Sequence, residues 1–233
     1  FNFLNDDNIS LSNYFIGKKI SKKINALEIK NKYLSISDTK RLSETRKYFL
    51  KKNIVLIDRD GVLNLKNKES RYVRNLNELK MNDSLISKLK KFPNIKYVCI
   101  SNQAGIATRD IKKTNLIKIN KYIKNFLKKN KIKLIDFFIS TAHFKSKDFY
   151  RKPNPGNFLK AALKYKLILD KTFYIGDDPR DVLASYNSNT KCVYIGKKND
   201  LRKIMKSDMK SIIIDNLSKG LYLKNKSEYW NEK

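Results

Sequence analysis

Four short segments of the chain carry side chains that together could transfer a phosphoryl group. They contain Asp58 and Asp60, then Ser101, then Lys152, and finally Asp177. One carboxylate can attack phosphorus and a second acid can move a proton, while a hydroxyl and a cation can hold phosphoryl oxygens. A further carboxylate is the kind of hard oxygen ligand that Mg²⁺ prefers. The complete set, in this order, predicts an enzyme, although each segment alone is also explained by an ordinary turn.

The first segment reads Ile-Val-Leu-Ile-Asp58-Arg59-Asp60-Gly61 and directly follows an apolar run. Gly61 permits a tight turn at the point where the chain leaves a strand. Two close carboxylates repel each other, which raises one pKa and suits a general acid near neutral pH. The structural alternative is a pair of aspartates that cap a strand-to-helix turn.

A cation is placed by the segment Arg151-Lys152-Pro153-Asn-Pro155-Gly156. The proline after Lys152 biases its backbone toward extended geometry, and Pro155-Gly156 then opens a helix. Lys152 is therefore expected just ahead of a helix N-terminus, where a phosphate is favoured. One lysine among 52 basic residues is weak evidence for a phosphate site, so this prediction depends on the motif that surrounds Lys152.

Two more segments end apolar runs with polar groups. Ser101 belongs to Ile-Ser-Asn-Gln, and Asp177 to Gly-Asp-Asp. Asp177 could join Asp58 around a divalent cation, whereas the alternative is an acidic cluster that caps a helix. Asp178 and Asp181 are expected to orient the ligands rather than bind the ion themselves.

The pattern of apolar residues predicts the elements that must position these groups. Predicted strands cover 54–57, 97–100, 134–139, 172–175, 191–195 and 211–214. Helix stripes are predicted at Leu85, Leu89 and Phe92, at Leu116, Ile119, Ile123 and Phe126, and at Phe158, Leu159, Ala162 and Leu163. Further helices are predicted over 181–186 and 200–206. Strands alternating with helices predict an α/β fold, a Rossmann-like parallel sheet flanked by helices, with no large cap domain. Sites in such sheets form at the carboxyl ends of the strands.

Composition bounds the function classes. The 233 residues fit one domain, or one domain with an appendage, and 52 Lys and Arg against 22 Asp and Glu give a net charge of +30. The cations are spread along the whole chain beside abundant Asn and Ile, so a nucleic-acid partner is not favoured. Cys99 and Cys192 lie in apolar runs and are expected to be buried small side chains. No apolar stretch approaches the roughly 18–20 residues of a membrane span, and a cytoplasmic location is expected.

These four segments resemble the motifs of the haloacid dehalogenase (HAD) superfamily of phosphatases, over about residues 53–215. The resemblance implies that Asp58 is the nucleophile that forms an aspartyl-phosphate. Asp60 would protonate the leaving alcohol and then activate water. Mg²⁺ would be held by Asp58, the backbone carbonyl of Asp60 and Asp177, while Ser101 and Lys152 would steady the phosphoryl group.

The longer signatures Asp-Arg-Asp-Gly-Val-Leu-Asn, Ser-Asn-Gln-Ala-Gly-Ile and Arg-Lys-Pro-Asn-Pro-Gly are similar to one branch, subfamily IIIA. That branch contains the heptose 1,7-bisphosphate 7-phosphatases and the histidinol-phosphatases, so a phosphorylated sugar of surface-glycan synthesis is the expected substrate. Histidinol phosphate, a nucleic-acid 3′-phosphate and a non-catalytic interaction module are the alternatives. Expected substrate-binding residues are Arg71, Tyr72, Asn102, Gln103 and Arg151.

Two departures from the family pattern bear on the substrate. The stretch 139–150 has His143 and no cysteine where this branch commonly carries a zinc loop. Because Zn²⁺ needs about four ligands, no zinc is predicted, and His143 is expected to be a hydrogen-bonded loop residue. Asp178 stands where heptose phosphatases often have lysine, and it would repel a second phosphate unless it leaned toward the metal.

Three regions are predicted along the chain: an N-terminal extension (1–50), a phosphatase domain (51–224) and a polar tail (225–233). Asp38 is expected to cap a helix that runs through Leu42 and Tyr48. Residues 32–46 loosely resemble the closing segment of sugar-phosphate nucleotidyltransferases. The chain is therefore hypothesised to be the back part of a longer bifunctional protein.

Overall fold

A computed structural model describes residues 36–48, 53–67, 69–70, 72–201 and 208–214. The chain divides into two compact units, Phe1–Thr45 and Arg46–Lys233. Helix α1 (Thr39–Tyr48) begins after Asp38, whose Oδ1 accepts a hydrogen bond from the backbone N–H of Arg41 at 2.8 Å. This bond confirms the prediction that Asp38 caps the helix. The three-part division of the chain stays a prediction, and 225–233 lies outside the described residues.

The second unit is built on a six-stranded sheet with the order β3-β2-β1-β4-β5-β6, and all its strand pairs are parallel. The strands are β1 (Ile54–Ile57), β2 (Lys96–Asn102), β3 (Lys133–Ser140), β4 (Phe173–Gly176), β5 (Lys191–Tyr194) and β6 (Ile213–Ile214). Each predicted strand is present, within a few residues of its predicted ends.

Helices connect the strands. They are α2 (Asp83–Leu89), α3 (Lys113–Lys129), α4 (Gly156–Tyr165), α5 (Pro179–Asn187) and α6 (Lys198–Leu201), with 3-10 turns at Leu76–Glu78, Leu169–Lys171 and Asp208–Ile212. This confirms the predicted parallel α/β sheet flanked by helices. The predicted helix over 200–206 is seen only as α6, since 202–207 lie outside the described residues. None of the helices among the described residues combines the length and the hydrophobicity of a membrane span.

The central strand β1 explains why its sequence is apolar throughout. Its four residues are all buried, with Val55 and Ile57 in one core layer and Ile54 and Leu56 in the other. A strand covered by helices on both faces cannot alternate between apolar and polar residues. Helix α3 buries a stripe of Leu116, Ile119, Ile123 and Leu127, and the last three belong to the first layer.

The predicted stripe of α4 is wrong at two positions. Phe158, Ala161 and Ala162 are buried against the sheet, whereas Leu159 is 39% exposed and Leu163 is 71% exposed. Phe158, Ala161 and Ala162 are spaced by three and four residues and share one helix face. Leu159 and Leu163 lie beside that face, so their apolar character did not identify the buried side.

The strand order brings the candidate residues together. Strand β1 lies between β2 and β4, with Ile57 paired to Cys99 on one side and to Ile175 on the other. The three carboxyl ends therefore lie side by side, and Asp58 and Asp177 follow adjacent strands.

Candidate active site

Asp58 is fixed where β1 ends. Its backbone N–H donates to Ile175 O at 2.9 Å, and its Oδ1 accepts from the N–H of Arg59 at 2.7 Å and from Lys152 Nζ at 2.9 Å. Burial raises the pKa of Asp58 to about 7, with the charge of Lys152 acting in the opposite direction and that of Asp181 adding to the rise. Asp58 is a desolvated carboxylate held beside one cation, as a nucleophile requires.

Lys152 is a buried cation with four oxygen partners. Its Nζ lies 2.9 Å from Asp58 Oδ1, 2.8 Å from Asp181 Oδ1, 2.7 Å from Tyr174 Oη and 3.2 Å from Ile100 O. Burial opposes its charge, but the two carboxylates outweigh burial and raise the pKa of Lys152 above its ordinary value. Lys152 therefore stays protonated and supplies a fixed positive charge beside Asp58.

The backbone of Lys152 is held by one side chain from β2. Asn102 Oδ1 accepts from the N–H of Lys152 at 3.0 Å, and Asn102 Nδ2 donates to Lys152 O at 2.9 Å. This two-bond clamp joins the end of β2 to the segment that precedes α4. Asn102 thus positions the cation as well as lining the pocket.

Asp60 lies in a very different environment from Asp58. Its carboxylate accepts hydrogen bonds from Arg59, from Asn64 Nδ2 at 2.9 Å and from Gln103 Nε2 at 2.6 Å. Burial raises the pKa of Asp60, but the charge of Arg59 and these hydrogen bonds outweigh burial and lower it. We expected repulsion between the pair to raise the pKa of the general acid. The raised pKa instead belongs to Asp58, and its largest cause is burial.

Asp177 fits a divalent cation. Its Oδ2 accepts from Lys66 Nζ at 2.6 Å, whereas its Oδ1 is buried and has no hydrogen-bond partner among the described residues. Carboxylate oxygens of Asp58, Asp177 and Asp181 lie within 4.8 Å of one another. A buried oxygen without a partner is costly unless something binds it, and carboxylate oxygens are ligands that suit Mg²⁺.

Gly61 makes room for this arrangement. Its φ is +89°, and a Cβ atom there would overlap Asp177 Oδ2. A side chain at this position would be strained by the backbone and would collide with the carboxylate. The absence of a side chain at Gly61 therefore permits both the predicted tight turn and the close approach between the ends of β1 and β4.

Asp181 has no oxygen to spare for a metal. Its Oδ1 accepts from Lys152 Nζ and Tyr174 Oη, and its Oδ2 accepts from the backbone N–H groups of Asp177 and Asp178, each at 3.1 Å. Asp181 therefore orients Lys152 and Asp177. Asp58 and Asp177 remain as the side chains that fit the ion.

Asp178 does not lean toward the metal. Its carboxylate caps α5 through the N–H of Arg180 and forms two bonds with the Arg180 guanidinium, each of 2.8 Å. Burial raises the pKa of Asp178, but Arg180 outweighs it and brings it to about 2. The expected repulsion of a second phosphate is thus offset by Arg180.

These groups line one cleft with a volume of about 360 Å³. Its walls include Asp58, Asp60, Lys66, Asn67, Ser70, Tyr72, Ser101, Asn102, Arg151, Lys152, Asp177, Asp178, Arg180 and Asp181. The predicted substrate-binding residues Tyr72, Asn102 and Arg151 are among them. Arg71 lies outside the described residues.

The structure corrects the prediction that Gln103 binds the substrate. It is 1% exposed and lies beneath the cleft, with Nε2 bonded to Asp60 and Ser101 and Oε1 bonded to Arg59. All of its polar atoms are engaged by protein, so it supports the site and does not reach a substrate.

Several residues of the site were not singled out from the sequence, among them Arg59, Lys66, Tyr174 and Arg180. Arg59 and Arg180 each stand next to or near an aspartate of a motif, which was the available signal. Because side chains alternate between the two faces of a strand, the sequence of β4 could have placed Tyr174 on the sheet face that packs against Phe158. Nothing local distinguished Lys66 from the other lysines.

The loop that replaces the zinc segment holds His143 by local contacts. His143 Nδ1 accepts from the N–H of Lys145 at 3.2 Å, and its ring lies 4.2 Å from that of Phe144. The absence of zinc stays a prediction. Cys99 and Cys192 are buried and unpaired, as expected of small core side chains.

A family model described as "Polynucleotide kinase 3 phosphatase" matches residues 53–212. D-glycero-alpha-D-manno-heptose-1,7-bisphosphate 7-phosphatase of Photorhabdus laumondii is 31% identical over 141 residues, which cover 56% of this chain and 75% of that protein. Histidine biosynthesis bifunctional protein HisB of Campylobacter jejuni is 30% identical over 153 residues, 64% of this chain and 43% of that protein.

Among solved structures, D,D-heptose 1,7-bisphosphate phosphatase from B. bronchiseptica, complexed with magnesium and phosphate, superimposes with a TM-score of 0.64. It is 19% identical, and the match covers 72% of this chain and 96% of that one.

Proposed function

Because the chain belongs to the polynucleotide kinase 3 phosphatase family and is a phosphatase of the HAD superfamily, we propose that it hydrolyses a phosphorylated sugar with the help of Mg²⁺. One observation carries the proposal. Asp58 and Asp177 follow two adjacent strands, and Lys152 precedes α4, yet the three side chains meet in one cleft. They place a nucleophile, a cation and a carboxylate oxygen without a hydrogen-bond partner among the described residues side by side.

The residues divide the reaction between them. An oxygen of Asp58 attacks phosphorus, the bond from phosphorus to the alcohol oxygen breaks, and the alcohol takes a proton from Asp60. Because Arg59 and its other donors lower the pKa of Asp60, Asp60 must first take up this proton in the substrate complex. Asp60 then accepts a proton from water, which attacks the aspartyl-phosphate and releases inorganic phosphate. Lys152 and Ser101 hold phosphoryl oxygens throughout. A Mg²⁺ ion held by Asp58, the backbone carbonyl of Asp60 and Asp177 would neutralise phosphoryl charge.

A heptose 1,7-bisphosphate is the substrate that the comparisons favour. The relative from Photorhabdus laumondii is named for the 7-phosphatase reaction on that sugar. Arg180, Arg151 and Lys66 line the cleft and could meet a second phosphate, while the negative charge of Asp178 is paired with Arg180. We place the activity in the synthesis of a heptose precursor of surface glycans.

Histidinol phosphate is the second candidate, supported by the similarity to the histidine biosynthesis protein. A nucleic-acid 3′-phosphate is the third, supported by the name of the matching family and by the charge of +30. The cytoplasmic location, the longer bifunctional chain and the nucleotidyltransferase origin of residues 1–50 stay predictions.

The test is turnover of three substrates by the purified chain, with Mg²⁺ and with excess chelator. We expect release of phosphate from heptose 1,7-bisphosphate to exceed release from histidinol phosphate and from a 3′-phosphorylated oligonucleotide, and to stop in chelator. Asp58→Asn should lower the rate by at least about 10³-fold because the nucleophile is gone. Asp170→Asn, in the turn before β4, is the matched control and should keep full activity. Undiminished activity of Asp58→Asn would exclude this mechanism.

A further inference from the structure

Arg59 is a buried cation, whereas most of the lysines and arginines among the described residues lie at the surface. Its side chain is 0% exposed. Taking a guanidinium out of water is costly unless its donors are satisfied by charged or polar partners. The sequence places it between Asp58 and Asp60, at the end of the central strand.

The partners of Arg59 are concentrated on Asp60. Nε lies 3.1 Å from Asp60 Oδ1, and Nη2 lies 3.0 Å from Oδ1 and 2.9 Å from Oδ2. Nη2 also donates to Gln103 Oε1 at 2.8 Å, and Nη1 donates to Asn120 Oδ1 at 3.2 Å. Every nitrogen of the guanidinium is thus engaged.

The far side of this arrangement is tied to rigid elements. Asn120 belongs to α3, which packs its stripe into the core, and Gln103 follows β2 and bonds Ser101 Oγ at 2.9 Å. Asn64 Nδ2 holds Asp60 Oδ1 from the other side. The Asp60 carboxylate, whose side chain is 29% exposed, is therefore held at the floor of the cleft in one orientation.

We propose that Arg59 is a positioning residue that fixes the Asp60 carboxyl group, which must carry a proton when the alcohol leaves, for transfer of that proton to the alcohol oxygen. The inference rests on the proposed function, since it assigns Arg59 a part in the phosphatase reaction. Arg59 forms and breaks no bond: the proton moves between Asp60 and the alcohol oxygen, and later between water and Asp60. Its planar fork matches both carboxylate oxygens at once, a geometry that the single ammonium of lysine does not reproduce.

The leaving group provides a readout that a merely structural role would not move. A nitrophenolate departs as a stable anion and needs little protonation, whereas an aliphatic alkoxide needs a proton as the bond breaks. The value of kcat/KM reports the steps up to release of the alcohol, so it isolates the proton transfer from the later hydrolysis of the aspartyl-phosphate.

The experiment compares wild type and Arg59→Lys on 4-nitrophenyl phosphate and on glycerol phosphate. We expect Arg59→Lys to lower kcat/KM on glycerol phosphate by about 10²-fold or more and on 4-nitrophenyl phosphate by less than about 10-fold. The same variant should lower kcat on both substrates, because hydrolysis of the common intermediate also needs Asp60.

A double-mutant cycle gives the control. In an Asp60→Asn background, Arg59→Lys should add less than about threefold to the loss on glycerol phosphate, because its target has been removed. An equal loss of kcat/KM on both substrates, or full additivity with Asp60→Asn, would overturn the inference while leaving the phosphatase function intact.

If Arg59→Lys does not fold, Gln103→Leu decides the matter. Gln103 bonds both Asp60 and Arg59, so this variant should show the same dependence on the leaving group with a smaller loss. Equal losses of Gln103→Leu on the two substrates would count against the inference. A wild-type chain without activity on any phosphomonoester would remove the proposed function and the inference together.

Discussion

Two aspartates separated by one residue have opposite electrostatic environments. Burial dominates at Asp58 and raises its pKa to about 7, whereas Arg59, Asn64 and Gln103 outweigh burial at Asp60 and lower its pKa. The difference arises because the two side chains have different neighbours. Asp58 lies beside Lys152 at the end of β1, whereas Asp60 lies against Arg59. Different environments at neighbouring carboxylates are how one site assigns them different roles.

The variant Asp177→Asn tests whether one carboxylate oxygen, Asp177 Oδ1, binds the metal ion. Asp177 Oδ1 is buried without a hydrogen-bond partner among the described residues, and an ion would provide one. We expect the variant to weaken Mg²⁺ binding by at least about 10–100-fold, since even indirect partners of a metal matter that much. Calorimetric titration of Mg²⁺ into the metal-free protein measures this without any substrate.

Asp170→Asn is the matched control for this titration. Asp170 precedes β4, and Asp177 follows the same strand, so the two variants remove the same charge at opposite ends. Asp170→Asn should bind Mg²⁺ as wild type does. An affinity unchanged in Asp177→Asn would exclude Asp177 as a ligand.

The motif residues could be predicted because each follows an apolar strand, and a parallel sheet brings strand ends together. Gln103 could not be placed in the same way. It stands one residue after Asn102, yet Asn102 lines the cleft and Gln103 lies beneath it. Which of two neighbouring amides faces substrate depends on Arg59 and Asp60, which are distant contacts that no local pattern encodes.

At the scale of the elements, the strands were easier to predict than the helix faces. A strand buried on both sides is apolar at every position, and β1 shows this in four consecutive residues. Helix α4 carries apolar residues on more than one face, so its sequence left the buried side ambiguous. The packing partner Tyr174, whose ring lies 4.9 Å from that of Phe158, determines which face is covered.

Phe158→Ala and Leu163→Ala measure the two faces of α4. Phe158 is 0% exposed and contacts the Tyr174 ring, so its loss leaves a cavity and should cost about 3–5 kcal/mol of unfolding free energy. Leu163 is mostly exposed, and its truncation should change stability by less than about 0.5 kcal/mol. Urea denaturation monitored by circular dichroism compares them. Equal costs would mean that α4 packs through a different face.

Asp136 on β3 links the sheet to α4. Its Oδ2 accepts from Lys164 Nζ at 2.7 Å and from Tyr165 Oη at 2.9 Å. Burial raises the pKa of Asp136, but these bonds and that from Phe137 N–H outweigh it and lower the pKa. A carboxyl group whose pKa is lower in the folded than in the unfolded protein stabilises the fold at pH values above its unfolded-state pKa. That stability is lost as the pH falls through the folded-state pKa.

Asp136→Asn should therefore destabilise the fold by about 0.5–1 kcal/mol at pH 7, an effect kept small because Lys164 is solvent-exposed. The difference from wild type should shrink below about pH 4, as the wild-type carboxyl takes up its proton. Urea midpoints at several pH values measure it. Lys164→Met should cost little more in the Asp136→Asn background, and a difference that grew on acidification would contradict the assignment.

At the scale of the whole molecule, the net charge of +30 would suit two kinds of substrate. Long-range attraction draws in any anion, whether a small phosphorylated sugar or a polynucleotide. The two differ in how many charges they neutralise on binding. A nucleic acid releases counterions from each contacted phosphate, whereas a sugar phosphate presents one or two charged groups to the cleft.

Ionic strength separates these substrates. For a sugar phosphate we expect KM to rise only several-fold between 50 and 500 mM KCl, at constant kcat, because screening weakens the steering and leaves the buried Asp58–Lys152 pair nearly untouched. Binding that depends on 6–10 phosphate contacts would instead weaken by about 10³–10⁵-fold between 50 and 200 mM. Steady-state kinetics on heptose 1,7-bisphosphate and on a 3′-phosphorylated oligonucleotide, in the same salt series, measure both. A collapse of sugar-phosphate turnover at moderate salt would show that the surface charge, and not the cleft, governs substrate binding.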